Sequence, residues 1–275
     1  MLSVIVPAHN ESDYIRPCLE SLLAQTLDGA AWEVIVVANA CRDDTVAVCE
    51  RHAERFAARG VAYRVLDIPE GGKTRAMNAG DAVAAGGMRA YLDADIVCEP
   101  ELLAQLVAAL DRDAPVYASG RMRVPRAEST VTNLYAGVWS ELPFMTRGVP
   151  GAGLFAVNAA GRARWGAFPD TYSDDTYVRL LFTPEERVGV PAAFDWPMVE
   201  GFWTLVRNRK RQNAHTRDIH ARYPDLRANE DDKTLAPAEL ARLVLRRPAG
   251  SALYALVALL TRLPAADEMT FRGRA

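Results

Sequence analysis

Over residues 1–120 the chain alternates short, continuously apolar runs with amphipathic stretches, and this rhythm limits its fold more than any other feature. The runs LSVIVPAHN, WEVIVVAN, VAYRVLDI, MRAYLDAD and PVYASG have the composition of strands. Between the first two, ESDYIRPCLESLLAQTL sets Ile15, Leu19, Leu22 and Leu23 at helical spacing, with Asn10 or Ser12 placed to cap it. DDTVAVCERHAERFAARG, KTRAMNAGDAVAA and PELLAQLVAALDRD read as further helices, the first of them stopping at Gly60. Strands that are apolar on both faces need cover on both faces, so the expected fold is α/β, with a mostly parallel sheet flanked by helices. Such sheets bind ligands outside the carboxyl ends of their strands. Polar residues collect at those ends: His9, Asn10 and Glu11, then 39–44, then Asp93 and Asp95.

The second half is less regular. TVTNLYAGVWSEL has an aromatic helical face, GVPGAGLFAVN is a glycine-rich turn and a strand, and DDTYVRLLF opens a helix. VEGFWTLVRNRKRQNAHTRDIHARY reads as one long basic helix. APAELARLVLRR and SALYALVALLTRL are two more, divided at Pro248 and Gly250. The expected organisation is one regular α/β half at 1–120, a second half of the same domain at 121–230, and a helical C-terminal extension at 231–275.

A net charge of −3 gives no reason to expect a nucleic-acid partner. Cys18, Cys41, Cys49 and Cys98 lack metal-ligand spacing and read as reduced structural thiols. No leader-like segment opens the sequence, and its apolar run at 252–260 is far short of a bilayer span. The expected location is the cytoplasm, or the inner membrane face through the C-terminal helices, which also suit a homodimer contact.

Asp93 and Asp95 repel one another on a loop unless a cation lies beside them. Hard ions such as Mg²⁺ or Mn²⁺ suit such oxygen ligands, and two solvated acids in a turn are the simpler alternative. Asn39 offers an amide to a base edge. Asp43, Asp44 and Thr45 suit a helix N-terminus, Asp44 most of all as a cap. The letters GGKT suggest a phosphate loop, but that template needs a glycine at position 67, where Asp67 stands. Pro69 has no N–H for phosphate and Glu70 adds a like charge. A flexible glycine pair and Lys73 remain, at a helix start on the ligand edge. Arg207, Arg211 and His215 lie at i, i+4 and i+8, so like charges share one helical face and an opposing anion would relieve them; a plain surface stripe is the alternative. Trp139, Glu141, Trp165 and Tyr172 are candidates to line an acceptor site, although aromatics mostly fill cores.

SVIVPAHNE, VIVVANACRDDT, GGKTRAMNAG and YLDAD, in this order, resemble the nucleotide-sugar half of family 2 glycosyltransferases of the GT-A fold. The resemblance covers about the first 120 residues and implies a Rossmann-like nucleotide-diphospho-sugar transferase fold with a helical C-terminal tail. It implies that Pro7, Ala8, His9, Glu11 and Asn39 border the base and ribose, and that Lys73 and Asn78 lie beside the nucleotide. It implies further that Asp93, Ala94 and Asp95 reach the ribose and metal. Asp95 and Asp93 would bind Mg²⁺ or Mn²⁺, with His215 completing the site. By the same resemblance Asp175, preceded by Asp174, is the general base. Gly151 and Gly153 belong to the segment under sugar and acceptor, and Arg207 and Arg211 to the diphosphate contact. Ala38 and Asn39 depart from the family's acidic pair, so the base stays open among UDP-, GDP- and dTDP-sugars.

The implied activity is inverting transfer from a nucleotide sugar to a small-molecule, glycan or lipid-linked acceptor. A sugar-phosphate nucleotidylyltransferase would carry a glycine-rich basic loop where PAHNES stands. A dehydrogenase would carry G-x-G-x-x-G there. A non-catalytic nucleotide-sugar-binding subunit is the remaining alternative.

Overall fold

The apolar runs pair side by side in an eight-stranded sheet in the computed structural model, which describes residues 1–27, 29–171 and 173–263. The strands are β1 (Leu2–Ala8), β2 (Trp32–Asn39), β3 (Ala62–Ile68), β4 (Met88–Leu92), β5 (Val97–Cys98), β6 (Tyr117–Arg123), β7 (Leu154–Val157) and β8 (Arg187–Asp195). Their order is β3-β2-β1-β4-β7-β6-β8-β5. β1 pairs in parallel with β2 and β4, and β2 with β3. β7 runs antiparallel to β4 and β6, while β8 is parallel to β6. The sheet is therefore mostly parallel, as expected.

The helices of the first half are α1 (Ile15–Leu23), α2 (Thr45–Glu50), α3 (Ala53–Ala58), α4 (Lys73–Val83) and α5 (Leu102–Leu110). Those of the second half are α6 (Thr130–Trp139), α7 (Pro143–Thr146), α8 (Ala159–Arg162), α9 (Asp174–Leu180), α10 (Phe202–Arg222), α11 (Pro237–Arg246) and α12 (Pro248–Leu260). β1 and β2 are buried along their whole length because helices cover both faces. Val4, Val6, Val34 and Val36 enter one core cluster, and Ile5, Ile35 and Val37 the other. This is the period-2 alternation of a strand, with both faces apolar. Glu33 is tolerated inside β2 because its carboxylate accepts from the Ser3 hydroxyl (2.6 Å) and the Ala85 N–H (2.7 Å).

The expected helix over 43–60 is two short helices, α2 and α3, interrupted around His52, whose ring bonds the Val48 carbonyl at 2.8 Å. Asp44 does not cap α2 through its side chain. Asp43 accepts instead from the N–H and hydroxyl of Thr45 and from the N–H of Ser12. Burial opposes that charge, yet these bonds hold Asp43 at about 2. Neither Asn10 nor Ser12 caps α1, whose N-cap is Tyr14. β5 was not anticipated, being only two residues long. Position 120 lies inside β6, so the two halves share one sheet.

Pro248 opens α12 rather than breaking a helix, and Gly250 lies within it against α6. A Cβ at Gly250 would meet the Leu134 carbonyl oxygen at 2.7 Å. α11 and α12 meet at a 114° bend, and among the described residues no single helix is long and apolar enough to cross a membrane. The cysteines are unpaired thiols.

Candidate active site

The parallel strands β1, β2 and β4 end on one edge, and β7 begins beside the end of β4, pairing Leu92 with Leu154. The Asp93 N–H bonds the Gly153 carbonyl at 2.8 Å, so the acidic loop and the glycine-rich turn form one rim. Asn10 (φ 55°) and Ala40 (φ 48°), just beyond β1 and β2, are the non-glycine residues of left-handed backbone among those described. Such strain collects where loops are held for a purpose beyond packing.

Lys73 starts α4 and reaches across the cleft. Its Nζ lies 2.7 Å from Asp93 Oδ1 and 3.1 Å from Asp174 Oδ1. Asp93 follows β4, while Asp174 opens α9, so this one ammonium ties the first half to the second. Burial opposes the charge on Lys73, but Asp174, Asp93 and Asp175 outweigh it and hold its pKa well above the ordinary value. Burial raises the carboxyl of Asp174, with Lys73 pulling the other way. It raises Asp175 as well, against Lys73 and the Thr176 N–H, which donates to its Oδ1 at 2.6 Å.

Two more acids stand close by. Burial, then the charge of Asp93, pushes Asp95 up to about 6. Burial, then Asp95, Asp93 and Asp43, pushes Glu11 up to about 7. The edge thus holds more negative charge than Lys73 neutralises, and a bound cation fits this oxygen donor set. No three His, Cys, Asp or Glu side chains among the described residues are gathered tightly enough to hold an ion by themselves. Asp93, Asp95 and His215 share the cavity, but as separate walls rather than a preformed triad.

The cavity measures about 910 Å³. It brings together Lys73, Asp93, Asp95, Asp174 and Asp175 on the sheet side. Arg211 and His215 face them from α10, and Trp139 and Gly153 complete the set anticipated from sequence. Pro7 and Gly151 line a narrow recess that shares Lys73, Asp93 and both aspartates of α9. Ala8, His9, Glu11 and Ala94 line neither space; Ala8 and Ala94 are buried, and the His9 ring donates from Nδ1 to the Asn39 carbonyl (2.6 Å).

Four of the anticipated residues are engaged or placed away from the main cavity. Asn39 is 2% exposed; its Nδ2 donates to the Ala8 carbonyl (2.7 Å) and its Oδ1 accepts from the Gly72 N–H (3.0 Å). These bonds tie β1, β2 and the GG turn together. The second occupies the Gly72 N–H. Asn78 accepts from the Phe168 N–H (2.7 Å) and donates to its carbonyl (3.2 Å), so it staples α4 to the loop before α9. Trp165 is buried in the core against Phe168, under the Arg162 guanidinium at 4.5 Å, and lines neither the cavity nor the recess beside it. Arg207 is exposed and lies outside the cavity, because α10 turns Arg209, Arg211 and Arg217 toward it instead.

Glu141 likewise binds Arg246 and Arg247, fastening α11 and α12 to the domain. Tyr172 lies outside the described residues. Gly151 (φ 64°) and Gly153 (φ 79°) need glycine for internal reasons: a Cβ would meet Tyr117 Oη at 1.7 Å, or Trp196 Cδ1 at 2.7 Å.

Several lining residues were missed. Trp196 stacks on Trp139 with centroids 5.4 Å apart and planes at 19°, forming an aromatic wall. Arg179 and the buried Arg187 both grip Asp231, while His220 and Lys233 hold Glu230 (2.9 and 2.6 Å). This network fixes the segment after α10 against α9. Arg209 was within reach of sequence reasoning, as part of the basic run; the assigned face did include Arg211 and His215, which line the cavity. Trp196 and Asp231 carry no local signal.

An acid-edged cleft thus lies at the carboxyl end of a mostly parallel sheet, closed by a basic helix. A model of the family "Glycosyl transferase family 2" matches residues 3–163, more than half of the chain, and the chain belongs to that family. Its fold is the GT-A fold.

Among curated relatives, the uncharacterized glycosyltransferase YibD of Escherichia coli is 34% identical over 116 residues, 42% of this chain and 32% of that protein. Dodecaprenyl-phosphate galacturonate synthase of Rhizobium johnstonii is 30% identical over 113 residues, 40% and 32% of the two chains. The match thus spans about a third of the length of these relatives. The solved mannosyltransferase PcManGT from Pyrobaculum calidifontis, in complex with GDP-Man and Mn²⁺, superposes with a TM-score of 0.64 at 22% identity. That likeness covers 96% of this chain and 76% of the other. Glucosyl-3-phosphoglycerate synthase from Mycobacterium tuberculosis, with Mn²⁺, UDP and product, gives 0.54 at 20% identity over 84% and 81%.

Proposed function

We propose that this chain is an inverting glycosyltransferase that moves a sugar from a nucleoside-diphosphate donor to an acceptor hydroxyl. The observation that carries the reading is Lys73. By binding both Asp93 and Asp174, it fixes the α9 carboxylates across the cleft from the acidic loop of β4. Asp95, with Asp93, would hold Mg²⁺ or Mn²⁺. When bound, that ion supplies positive charge against the donor diphosphate. The solved neighbours with GDP-Man or UDP beside Mn²⁺ support this donor class.

Asp175 rather than Asp174 is the general base. Asp174 is 2% exposed and committed to Lys73, while Asp175 is only partly buried and its Oδ1 alone is engaged, by a backbone N–H. Burial raises its pKa, which makes its carboxylate a stronger proton acceptor than an ordinary aspartate. It takes the acceptor's hydroxyl proton as the oxygen bonds to the anomeric carbon. The bond from that carbon to the diphosphate oxygen breaks on the opposite face, which inverts the centre. Arg209 and Arg211 place positive charge where the leaving diphosphate gains negative charge. The Trp139–Trp196 pair offers a flat apolar wall to a sugar ring.

Three regions follow from this reading: donor binding over 1–120, acceptor binding and the base over 121–230, and a helical extension over 231–275. Asp175→Asn should reduce transfer at least about 100-fold, in the range of a lost general base. Binding of UDP-, GDP- or dTDP-sugars with Mn²⁺, followed by calorimetry, should persist. Unchanged transfer would sink the assignment, and donor binding to none of these sugars would sink the donor class.

A further inference from the structure

Among the described residues, α4 holds the chain that leads from α8 to α9 at successive points along its own length. At its start Lys73 binds Asp174. Further along, Asn78 accepts from the Phe168 N–H and donates to the Phe168 carbonyl. Near its end Asp81 binds Arg162, the last residue of α8, whose Nε and Nη2 donate to Asp81 Oδ2 at 3.1 and 2.9 Å. The order along α4 is the reverse of the order along the later segment, so the two are laid out antiparallel.

Arg162 makes the third of these attachments and extends it. Its Nη1 donates to the Trp165 carbonyl (2.7 Å) and its Nη2 to the Gly166 carbonyl (3.0 Å). The same guanidinium lies 4.5 Å from the Trp165 ring centroid and 5.8 Å from that of Phe168. A planar fork serves a carboxylate and two carbonyls at once, a geometry that a lysine ammonium does not copy. Asp81 is shared in turn. It accepts from the Tyr91 hydroxyl (2.8 and 2.9 Å) and from Arg89 Nε (3.1 Å), both on β4. Burial, then the Asp81 charge, holds the Tyr91 hydroxyl far above its ordinary pKa, so it stays a donor. Tyr91 stands two residues before Asp93 and lines the recess that Lys73, Asp174 and Asp175 also line. The side chains of Asp81, Arg89 and Arg162 are only 11%, 13% and 21% exposed, so their bonds are largely shielded from water.

We infer that Arg162 is a positioning residue for the reaction: clamped on Asp81, it fixes the chain between α8 and α9 so that Asp174 meets Lys73 and Asp175 faces the acidic loop of β4. Neither Arg162 nor Asp81 lines the cavity or the recess, so both act through the acids they align. If the cluster only packed α8 against the sheet, cutting it would leave α9 in place. The inference rests on the transferase reading for the use made of that alignment; the alignment itself is tested without a substrate.

The lysines of this chain are Lys73, Lys210 and Lys233. Acetic anhydride labels each through its free amine, and mass spectrometry after limited labelling at pH 8 reads Lys73 against the other two. In wild-type protein Lys73 should be the slowest. Withdrawal of Asp174 lowers the Lys73 pKa, because that carboxylate is the largest of the charges raising it. Each unit of that fall raises the labelling rate about tenfold, so Arg162→Gln should label Lys73 about tenfold faster relative to Lys210 and Lys233. Arg162→Lys keeps a charge for Asp81 but loses the carbonyl bonds; it should show the same rise while melting close to wild type. Unchanged protection of Lys73 in both variants overturns the inference, and so does an equal rise at all three lysines, which reports general opening. Release of UDP or GDP from UDP-glucose or GDP-mannose with Mn²⁺ should slow by ~10- to 100-fold in both variants, the range expected for a misplacement of about 1 Å. Nucleotide affinity should stay within twofold. Undiminished release beside a faster Lys73 overturns the positioning role. A wild-type protein that binds neither nucleotide, with Lys73 labelling as expected, would instead overturn the donor reading and leave the alignment standing.

Discussion

Lys73 decides more at this site than any other single side chain. It is the ammonium that holds Asp93 and the buried Asp174 in one arrangement. Removing one partner of a buried pair costs about 3–5 kcal/mol when the other must stay charged. Asp174 can escape that cost by taking a proton, so the penalty depends on pH. Without the ammonium, the folded-state pKa of Asp174 rises further above its unfolded value of 3.8. The folded form then binds the proton more tightly, and stability falls as pH climbs above that value. Lys73→Met should therefore melt close to wild type at pH 5 and well below it at pH 8, the gap approaching ~3 kcal/mol. An equal loss at both pH values, measured by calorimetric melting, would mean that packing rather than charge is what Lys73 supplies.

The elements are held to the site by polar staples more than by their own propensity. α9 is a short helix that carries both candidate catalytic acids. Its Arg179 is anchored to Asp231, which also binds Arg187, whose side chain is almost wholly buried. Loss of Asp231 leaves the almost wholly buried Arg187 without its carboxylate, while Arg179 keeps only the longer contact to Glu230 (3.6 Å). Asp231→Ala should destabilise the fold by about 3 kcal/mol, and, on the proposed reading that α9 serves the acceptor, kcat should fall while UDP affinity holds. A variant with wild-type melting and kcat would show that the segment after α10 does not set the position of α9. On the opposite side, Asn39 and Asn78 perform the same service, tying loop to strand and helix to loop. Both were read from sequence as ligand contacts. An asparagine at a strand end satisfies backbone groups as readily as a base, and only its neighbours distinguish the two.

At the scale of the whole molecule, one edge of the sheet collects acids from three strands and a helix, and their burial, reinforced by mutual repulsion, appears as raised pKa values. Asp95 is at about 6 and Glu11 at about 7, against ordinary values of 3.8 and 4.5. In the window between ordinary and raised values the folded protein holds protons that the unfolded chain releases. These two groups therefore favour the fold at acid pH, and that contribution is lost as pH rises through about 6 to 7. A cation competes with the same protons. The rise in Tm produced by Mn²⁺ with UDP should be small at pH 5 and largest at pH 8. At about 100 times the Kd it should correspond to ~2.7 kcal/mol. A Tm increment independent of pH would separate cation binding from these carboxylates.

The alternation of apolar runs and helices was enough to specify a mostly parallel sheet with helices on both faces. Continuous apolar strands have no other stable arrangement, and the first-half motifs followed in order along one edge of it. Lys73, Asp93 and Asp95 were placed at the ligand edge by the rhythm of strands and helices, and Asp174 and Asp175 by family resemblance; the fold brings all five to one cavity. Side-chain pairing across long separations was not legible. No local pattern says that Asp231 meets Arg187, that Trp196 stacks on Trp139, or that Asn39 spends its amide on Gly72 and Ala8. Nor does helical spacing alone choose between Arg207 and Arg209, since the rotation of α10 about its axis is fixed by the buried Leu205, Val206 and Ile219. The sequence by itself determined the layers and the edge at which chemistry collects, because these follow from periodicity and burial. Tertiary structure alone decided which polar groups remain available there, because availability depends on partners brought close from distant parts of the chain.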